Sequence, residues 1–308
     1  MGIKIYNIHT GNMEQENVCA EAFMRFLYGT AAGKMALWAL FKRAVFSRIF
    51  GLWSRTKFSA KAIGPFVADK KINMGESLLE VSQFKCWNDF FTRELAEGAR
   101  PLALEENDRA LSFPADGRHL LIFNAGLGDA FYAKGQKFCL KEFFGEGELA
   151  EGFNGATMLV SRLSPLDYHR FHYPFPGKIC ARRFIDGFLS SVSPIALSRD
   201  LSILWRNKRV VNLIEVEGVG KCAFVEIGAT NVGSIVNFGE VGESVKRGQQ
   251  AGLFNFGGSC VVTVFPKGAR LSFDRRLVEM RARQIECYAR ANSYLGVVRI
   301  PDSEDKLK

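Results

Sequence analysis

Val210-Val211-Asn212-Leu213-Ile214-Glu215-Val216-Glu217-Gly218-Val219-Gly220-Lys221-Cys222-Ala223-Phe224-Val225-Glu226-Ile227 is the stretch that decides the fold. Its β-branched and aromatic runs, Val210–Glu217 and Ala223–Ile227, flank a glycine turn at 218–220, which is the pattern of two short strands. The same reading extends outward. Ala156–Val160 and Val261–Phe265 are apolar runs of strand length, and Pro266-Lys267-Gly268 closes the second with a turn. From about Phe113 onward the chain is period-two and punctuated by glycine, and Leu277–Leu295 is expected to be a closing helix of mixed charge.

The chain has 308 residues, 47% apolar and 24% charged, with a mean hydropathy of -0.01. That composition excludes disorder and collagen-like repetition, and the length allows two domains at most. The 27 phenylalanines suggest apolar surface beyond an ordinary core. A net charge of +9 favours anionic partners without choosing between nucleic acid and anionic lipid. Seven scattered cysteines, with no CxxC pair, read as reduced thiols of an intracellular protein. The polar start, Met1 to Asn17, matches neither a secretory signal nor a transit peptide.

Residues 22–68 contain no Asp or Glu, yet carry Arg25, Lys34, Lys42, Arg43, Arg48, Arg55, Lys57 and Lys61 among many aromatics. The best apolar run, Met35–Phe41, is far short of the roughly 20 residues a span needs. Leu37, Phe41, Val45, Ile49 and Trp53 recur at helical spacing. Two readings remain. The helices either pack on the body with a solvated basic side, or lie in the headgroup layer of an anionic bilayer; the absence of acids favours the second. A nucleic-acid face would rarely set this many aliphatic and aromatic groups beside its cations.

Several familiar motifs fail. Gly220-Lys221 lacks the first glycine of a phosphate loop, where Glu215 stands, and Gly257-Gly258-Ser259-Cys260-Val261 lacks the second glycine of a nucleophile elbow. His169 and His172 have no third metal ligand at a recognised spacing, so no metal is expected. Four other pieces are weak singly. Ser112-Phe113-Pro114-Ala115-Asp116-Gly117 is a turn with a capping carboxylate. Asp167-Tyr168-His169-Arg170-Phe171-His172 holds two of only four histidines. Phe254-Asn255-Phe256-Gly257-Gly258-Ser259 puts two glycines before a serine, which permits backbone geometries that a Cβ resists. Phe90-Phe91-Thr92-Arg93-Glu94-Leu95 with Gly98-Ala99-Arg100-Pro101 precedes them all.

Together and in this order, the four pieces resemble the phosphatidylserine decarboxylases, over roughly residues 20–295. Cys260 departs from the Thr or Ser more frequent there, and the match is looser after Phe273. A shorter likeness links Gly242-Glu243-Ser244-Val245-Lys246-Arg247-Gly248-Gln249 to the corner of lipoyl- and biotinyl-type β-sandwiches. The expected fold is α+β: N-terminal helices on a mainly antiparallel, sandwich-like catalytic core with a lipoyl/biotinyl-like element. Residues 1–81 form a helical membrane-associating extension, and 82–308 form the catalytic domain.

The family resemblance implies a proenzyme that cuts itself between Gly258 and Ser259 into large and small chains held in one sheet. Asp116, His172 and Ser259 would act as acid, base and nucleophile, since a serine hydroxyl attacks poorly until a base takes its proton. After the N-to-O shift, elimination to dehydroalanine and loss of ammonia would leave a pyruvoyl group from Ser259. That ketone supplies the electron sink a pyridoxal cofactor supplies elsewhere. By the same resemblance, His169 donates a proton to the substrate carbon and Asp167 orients it. The implied partners are phosphatidylserine and an anionic membrane, not nucleic acid, and a homodimer is left open. The implied location is peripheral, on the cytoplasmic side of a bacterial cell membrane. The alternatives are a membrane-surface serine hydrolase using Asp116, His172 and Ser259 without self-cleavage, and a non-catalytic lipid-surface β-sandwich.

Overall fold

The computed structural model describes residues 2–19, 21–36, 44–126, 138–229, 235–257 and 259–299. Gly258 of the expected cleavage bond and Leu37 and Phe41 of the apolar stripe lie outside them.

Sixteen strands are found among the described residues: β1 (Lys4–Asn7), β2 (Asn12–Gln15), β3 (Ala110–Ser112), β4 (Gly117–Ala125), β5 (Ala156–Leu163), β6 (Arg170–His172), β7 (Gly177–Ile185), β8 (Arg209–Val216), β9 (Gly220–Gly228), β10 (Ile235–Asn237), β11 (Ser244–Val245), β12 (Gln250–Phe254), β13 (Ser259–Phe265), β14 (Leu271–Phe273), β15 (Glu286–Ala289) and β16 (Tyr294–Val298). Ten of them form one sheet in the order β11-β7-β8-β9-β13-β5-β4-β15-β1-β2. Only the β1–β15 pair in it is parallel. Two three-stranded sheets, β10-β12-β6 and β14-β16-β3, complete the β structure. The deciding stretch is a hairpin, with β8 and β9 in register from Arg209↔Ile227 to Val216↔Gly220. Gly218 turns it with φ 73°, a conformation that costs glycine little.

The large sheet is buried on both faces, which is why its central strands read as nearly unbroken apolar runs. Along β13, Cys260, Val262 and Val264 face one core while Val261 and Phe265 face the other. The first core is capped by helices α1 (Glu21–Gly29), α6 (Leu140–Phe144), α7 (Gly147–Gly152), α8 (Pro194–Leu197) and α9 (Ile203–Arg206). The second is closed by β3, β6, β12 and β16, through Leu111, Phe171, Phe254 and Leu295. A third, smaller cluster joins α4 (Ile63–Lys70) to α5 (Trp87–Phe91) through Ile63, Trp87 and Phe90, with Phe256 packed against it. Helices α2 (Ala31–Ala36), α3 (Ala44–Ser54) and α10 (Arg275–Ala282) complete the set.

The fold is therefore mixed, with helices on large, mainly antiparallel sheets. The corner 242–249 does join two short strands, β11 in the large sheet and β12 in a small one. Two expectations need correction. Residues 1–81 are not a purely helical extension, because β1 and β2 form the edge of the large sheet. Leu277–Leu295 is not one helix. Helix α10 ends at Ala282, Gln284 takes φ 61°, and β15 then pairs with β4 and β1. Of the apolar stripe, Ile49 and Trp53 of α3 are exposed. Among the described residues no helix is long and apolar enough to cross a membrane.

Candidate active site

Strand β12 runs directly into residues 255–257, and β13 begins at Ser259, so the chain passes here from a small sheet to the large one. Ser259 opens β13 between Leu163 of β5 and Gly228 of β9. It is fully buried, and its Oγ has no hydrogen-bond partner among the described residues. An orphaned buried hydroxyl costs free energy of about 1–3 kcal/mol, and such atoms are rare away from functional sites. Gly257 has φ 147°, a region that a side chain would strain.

His169 is 0% exposed. Its Nδ1 lies 2.9 Å from the carbonyl oxygen of Asp167. A carbonyl only accepts, so Nδ1 carries the hydrogen and Nε2 presents its lone pair. That Nε2 has no partner. Burial above all, opposed by the hydrogen bond to Asp167 and helped by the charge of Arg93, lowers the imidazole pKa to about 3. Two contacts hold His169 against the loop: Phe254 N–H donates to its carbonyl at 3.0 Å, and Phe91 lies ring to ring with it at 3.7 Å. Phe91 also meets Phe256 at 5.0 Å.

His172 ends β6 opposite Gln250, and its backbone N–H donates to Pro114 O at 2.7 Å. The Asp116 turn and the histidine strand are thereby tied together. Burial lowers the His172 pKa to about 4, while the charge of Asp116 opposes the shift. Its Nδ1 is also unpartnered. Among the described residues no hydrogen bond links the Asp116 carboxylate to His172. Asp116 instead accepts from Arg100 Nε at 2.8 Å, Arg100 Nη2 at 2.5 Å and Ala291 N–H at 2.8 Å. Arg100 in turn reaches Glu76 at 2.8 Å. The next residue must be glycine, since a Cβ on Gly117 would sit 2.4 Å from Arg162 O. Asp167 likewise orients His169 through its backbone carbonyl, while its carboxylate binds Arg118 Nη1 and Ser164 N–H.

Sequence reasoning assigned no role to Asn88, Phe91, Arg93 or Arg100. Asn88 Nδ2 donates to Asn255 Oδ1 at 2.9 Å, and Asn88 Oδ1 accepts from Phe256 N–H at 2.9 Å. One amide thus grips the loop from both sides. Nothing local to Asn88 announces a partner 167 residues away, whereas Phe91, Arg93 and Arg100 do sit inside quoted motifs. Among the described residues no group of three His, Cys, Asp or Glu side chains could hold a metal ion.

The geometry meets an independent comparison. A family model for phosphatidylserine decarboxylase matches residues 87–286. The phosphatidylserine decarboxylase proenzyme of Fusobacterium nucleatum is 38% identical over 277 residues, covering 90% of this chain and 91% of the relative. That of Chlamydia trachomatis serovar L2 is 37% identical over 290 residues, covering 94% and 95%. That of Clostridium botulinum strain Langeland is 38% identical over 266 residues, covering 86% and 89%. Identity at this level over most of the chain, with the family model matching residues 87–286, means that the chain belongs to the phosphatidylserine decarboxylase family.

Proposed function

We propose that this chain is a proenzyme that cuts itself at Gly258–Ser259 and then decarboxylates phosphatidylserine to phosphatidylethanolamine. The observation that carries the reading is that Ser259 Oγ, His172 Nδ1 and His169 Nε2 are all buried without a hydrogen-bond partner among the described residues.

In the cutting step, Ser259 Oγ bonds to the Gly258 carbonyl carbon as the Gly258 C–Ser259 N bond breaks. The hydroxyl proton passes through His172 to the departing amide nitrogen. Burial keeps His172 neutral at pH 7, so its lone pair is available to accept that proton. The products are the large chain 1–258 and the small chain 259–308. β13 stays paired with β5 and β9, which belong to the large chain, so the two remain one body.

A pyruvoyl group made from Ser259 supplies an electrophilic ketone and an electron sink. The chain fits that group, because its precursor hydroxyl is enclosed with no competing hydrogen bond. A lipid ammonium must lose a proton before its nitrogen can attack a ketone. His169 Nε2, held as the free lone pair, takes that proton and returns it to the substrate carbon once CO2 has left. Asp167 fixes the ring for both transfers through its carbonyl. The donor role of His169 thus begins with acceptance, as a buried imidazole of low pKa requires.

The N-terminal helices carry the membrane part of the reading. Phe58 is 78% exposed, Met35 70%, Leu52 69% and Ile49 63%, in a segment without acids. Apolar side chains beside lysines and arginines suit an anionic bilayer surface. The reading puts the chain on the cytoplasmic face of a bacterial membrane, and treats the 242–249 corner as lipoyl-like.

Intact-mass measurement tests the proposal. Two chains are expected, the small one lighter than its coded mass because serine has become pyruvoyl. Ser259→Ala should give a single, inactive chain. A full-length wild-type protein that still releases CO2 from the lipid would sink the proposal, and uncut protein that hydrolyses lipid esters would favour the serine hydrolase.

A further inference from the structure

Arg93, in the motif Phe90–Leu95, has no task in the proposed chemistry. It is 8% exposed. Its neighbours in charge are all matched: Arg100 pairs with Asp116 and Glu76, Arg118 with Glu16 and Asp167, Arg162 with Glu16 and Glu286, and Arg170 with Glu94. Arg93 has no carboxylate within ion-pair distance among the described residues. Its guanidinium makes one hydrogen bond, Nη1 to Phe90 O at 3.3 Å, and lies over the Phe90 ring at 5.0 Å. Yet its charge is felt at His169, two residues beyond the stacked Phe91. Asp116 and Asp167 favour the Arg93 charge only from beyond ion-pair distance, and burying a cation that no carboxylate contacts is costly; an anion that arrives beside it recovers much of that cost.

We propose that Arg93 is the receptor for the phosphodiester of the lipid headgroup. The inference rests on the proposed decarboxylation, since it takes the substrate from there. Two oxyanions of that substrate could pair with a guanidinium, the phosphodiester and the carboxylate. Electrostatics separates them. The carboxylate must surrender its negative charge as it becomes CO2, so a cation bound to it stabilises the ground state and opposes the reaction. The phosphodiester keeps its charge throughout, and binding it holds the headgroup uniformly while bonds change elsewhere. Guanidinium geometry also matches two phosphate oxygens at once.

Equilibrium binding of glycerophosphocholine to the wild-type protein and to Arg93→Gln, read by phosphorus NMR, tests this directly. That probe carries the phosphodiester but no carboxylate and no primary amine, so it cannot condense with a ketone. Wild type should bind it, and Arg93→Gln should bind about 10- to 100-fold more weakly, the range for a charge-assisted pair. Glycerophosphoserine should weaken by the same factor. Arg93→Lys, which keeps the charge and the packing, should fall between the two. Intact mass and melting temperature verify that each variant is folded and cut. Unchanged glycerophosphocholine binding in Arg93→Gln overturns the assignment, as does a loss confined to glycerophosphoserine or a wild type that binds neither. A wild type that binds the probe through Arg93 but releases no CO2 would instead overturn the decarboxylase reading and leave the phosphodiester site standing.

Discussion

Asn88→Ala is expected to slow self-cleavage without unfolding the chain. The amide sits in the first turn of α5, whose entry is itself fixed: Trp87 N–H donates to Ser59 Oγ at 2.9 Å. From that anchored position Asn88 makes two hydrogen bonds to the loop, one to the Asn255 side chain and one to the Phe256 backbone. A typical protein hydrogen bond contributes about 0.5–1.5 kcal/mol net, so alanine forfeits about 1–3 kcal/mol of loop ordering. Aromatic contacts of Phe256 with Trp87, Phe91 and Phe50 remain, so the loop stays attached but loses its aim. If that ordering is needed at the transition state, where 1.36 kcal/mol is tenfold in rate, cleavage slows by about 5- to 150-fold. Asn88→Asp keeps an acceptor for Phe256 N–H and should slow it less. The assay follows conversion of freshly synthesised full-length chain to two chains on a gel, well below the melting temperature of each variant. A half-time for Asn88→Ala within twofold of wild type would refute the reasoning. So would equal slowing by alanine and aspartate, because the two differ in the bond that matters.

The remaining predictions use the titrating groups. His169→Gln should still cut, giving two chains by mass, but release no CO2, because an amide cannot carry a proton from nitrogen to carbon; loss of cutting as well would move His169 into the maturation step. Glu226, buried on β9 with both oxygens 2.9 Å from Asn212 Nδ2, has its pKa pushed up to about 8 by burial. Between about pH 4.5 and 8 the unfolded chain ionises this group while the folded chain does not, so folding loses stability as pH rises through that window. Glu226→Gln should therefore melt with wild type near pH 4.5 and above it near pH 8.5, and a difference that does not grow with pH would be the contrary result. The histidines act with the opposite sign. His119 and His169, lowered to about 3, and His172, lowered to about 4, leave the unfolded chain to take protons first below about 6.5, so acidification destabilises both proteins alike.

The central strands were legible because the large sheet is covered on both faces, which writes each strand as a dense apolar run bounded by glycine. The edge was not. β1 and β2 read Lys4-Ile5-Tyr6-Asn7 and Asn12-Met13-Glu14-Gln15, too short and polar to show a period, and β15, which joins β1 to the sheet, is remote in sequence. Residues 286–289 were misread as helix for a related reason. Local propensity there competes with pairing to β4 and β1, and the pairing wins once the left-handed Gln284 has ended α10. The same division runs through the site. Asp116, His169, His172 and Ser259 lie in compact motifs, and residue types within a motif can be read. Arg100, Ala291 and Asn88 matter through bonds to residues 16, 175 and 167 positions away, and no short window contains both ends.

The Asp116–Arg100 pairing bears on how hard this site works as a base. A carboxylate bonded directly to His172 would raise the imidazole pKa and strengthen it as a proton acceptor. Here the carboxylate is spent on Arg100 and the Ala291 amide, and acts on His172 only through charge, leaving its pKa at about 4. In the proposed cutting step His172 is therefore a weak base. Self-cleavage, however, happens once per molecule, and it needs a held geometry more than a fast proton transfer. Arg100 supplies that hold by joining Asp116 to Glu76, so the turn that bonds His172 through Pro114 cannot drift while the Ser259 hydroxyl waits for its productive approach. The arrangement favours position over basicity, which suits an event that occurs once and must occur at one bond.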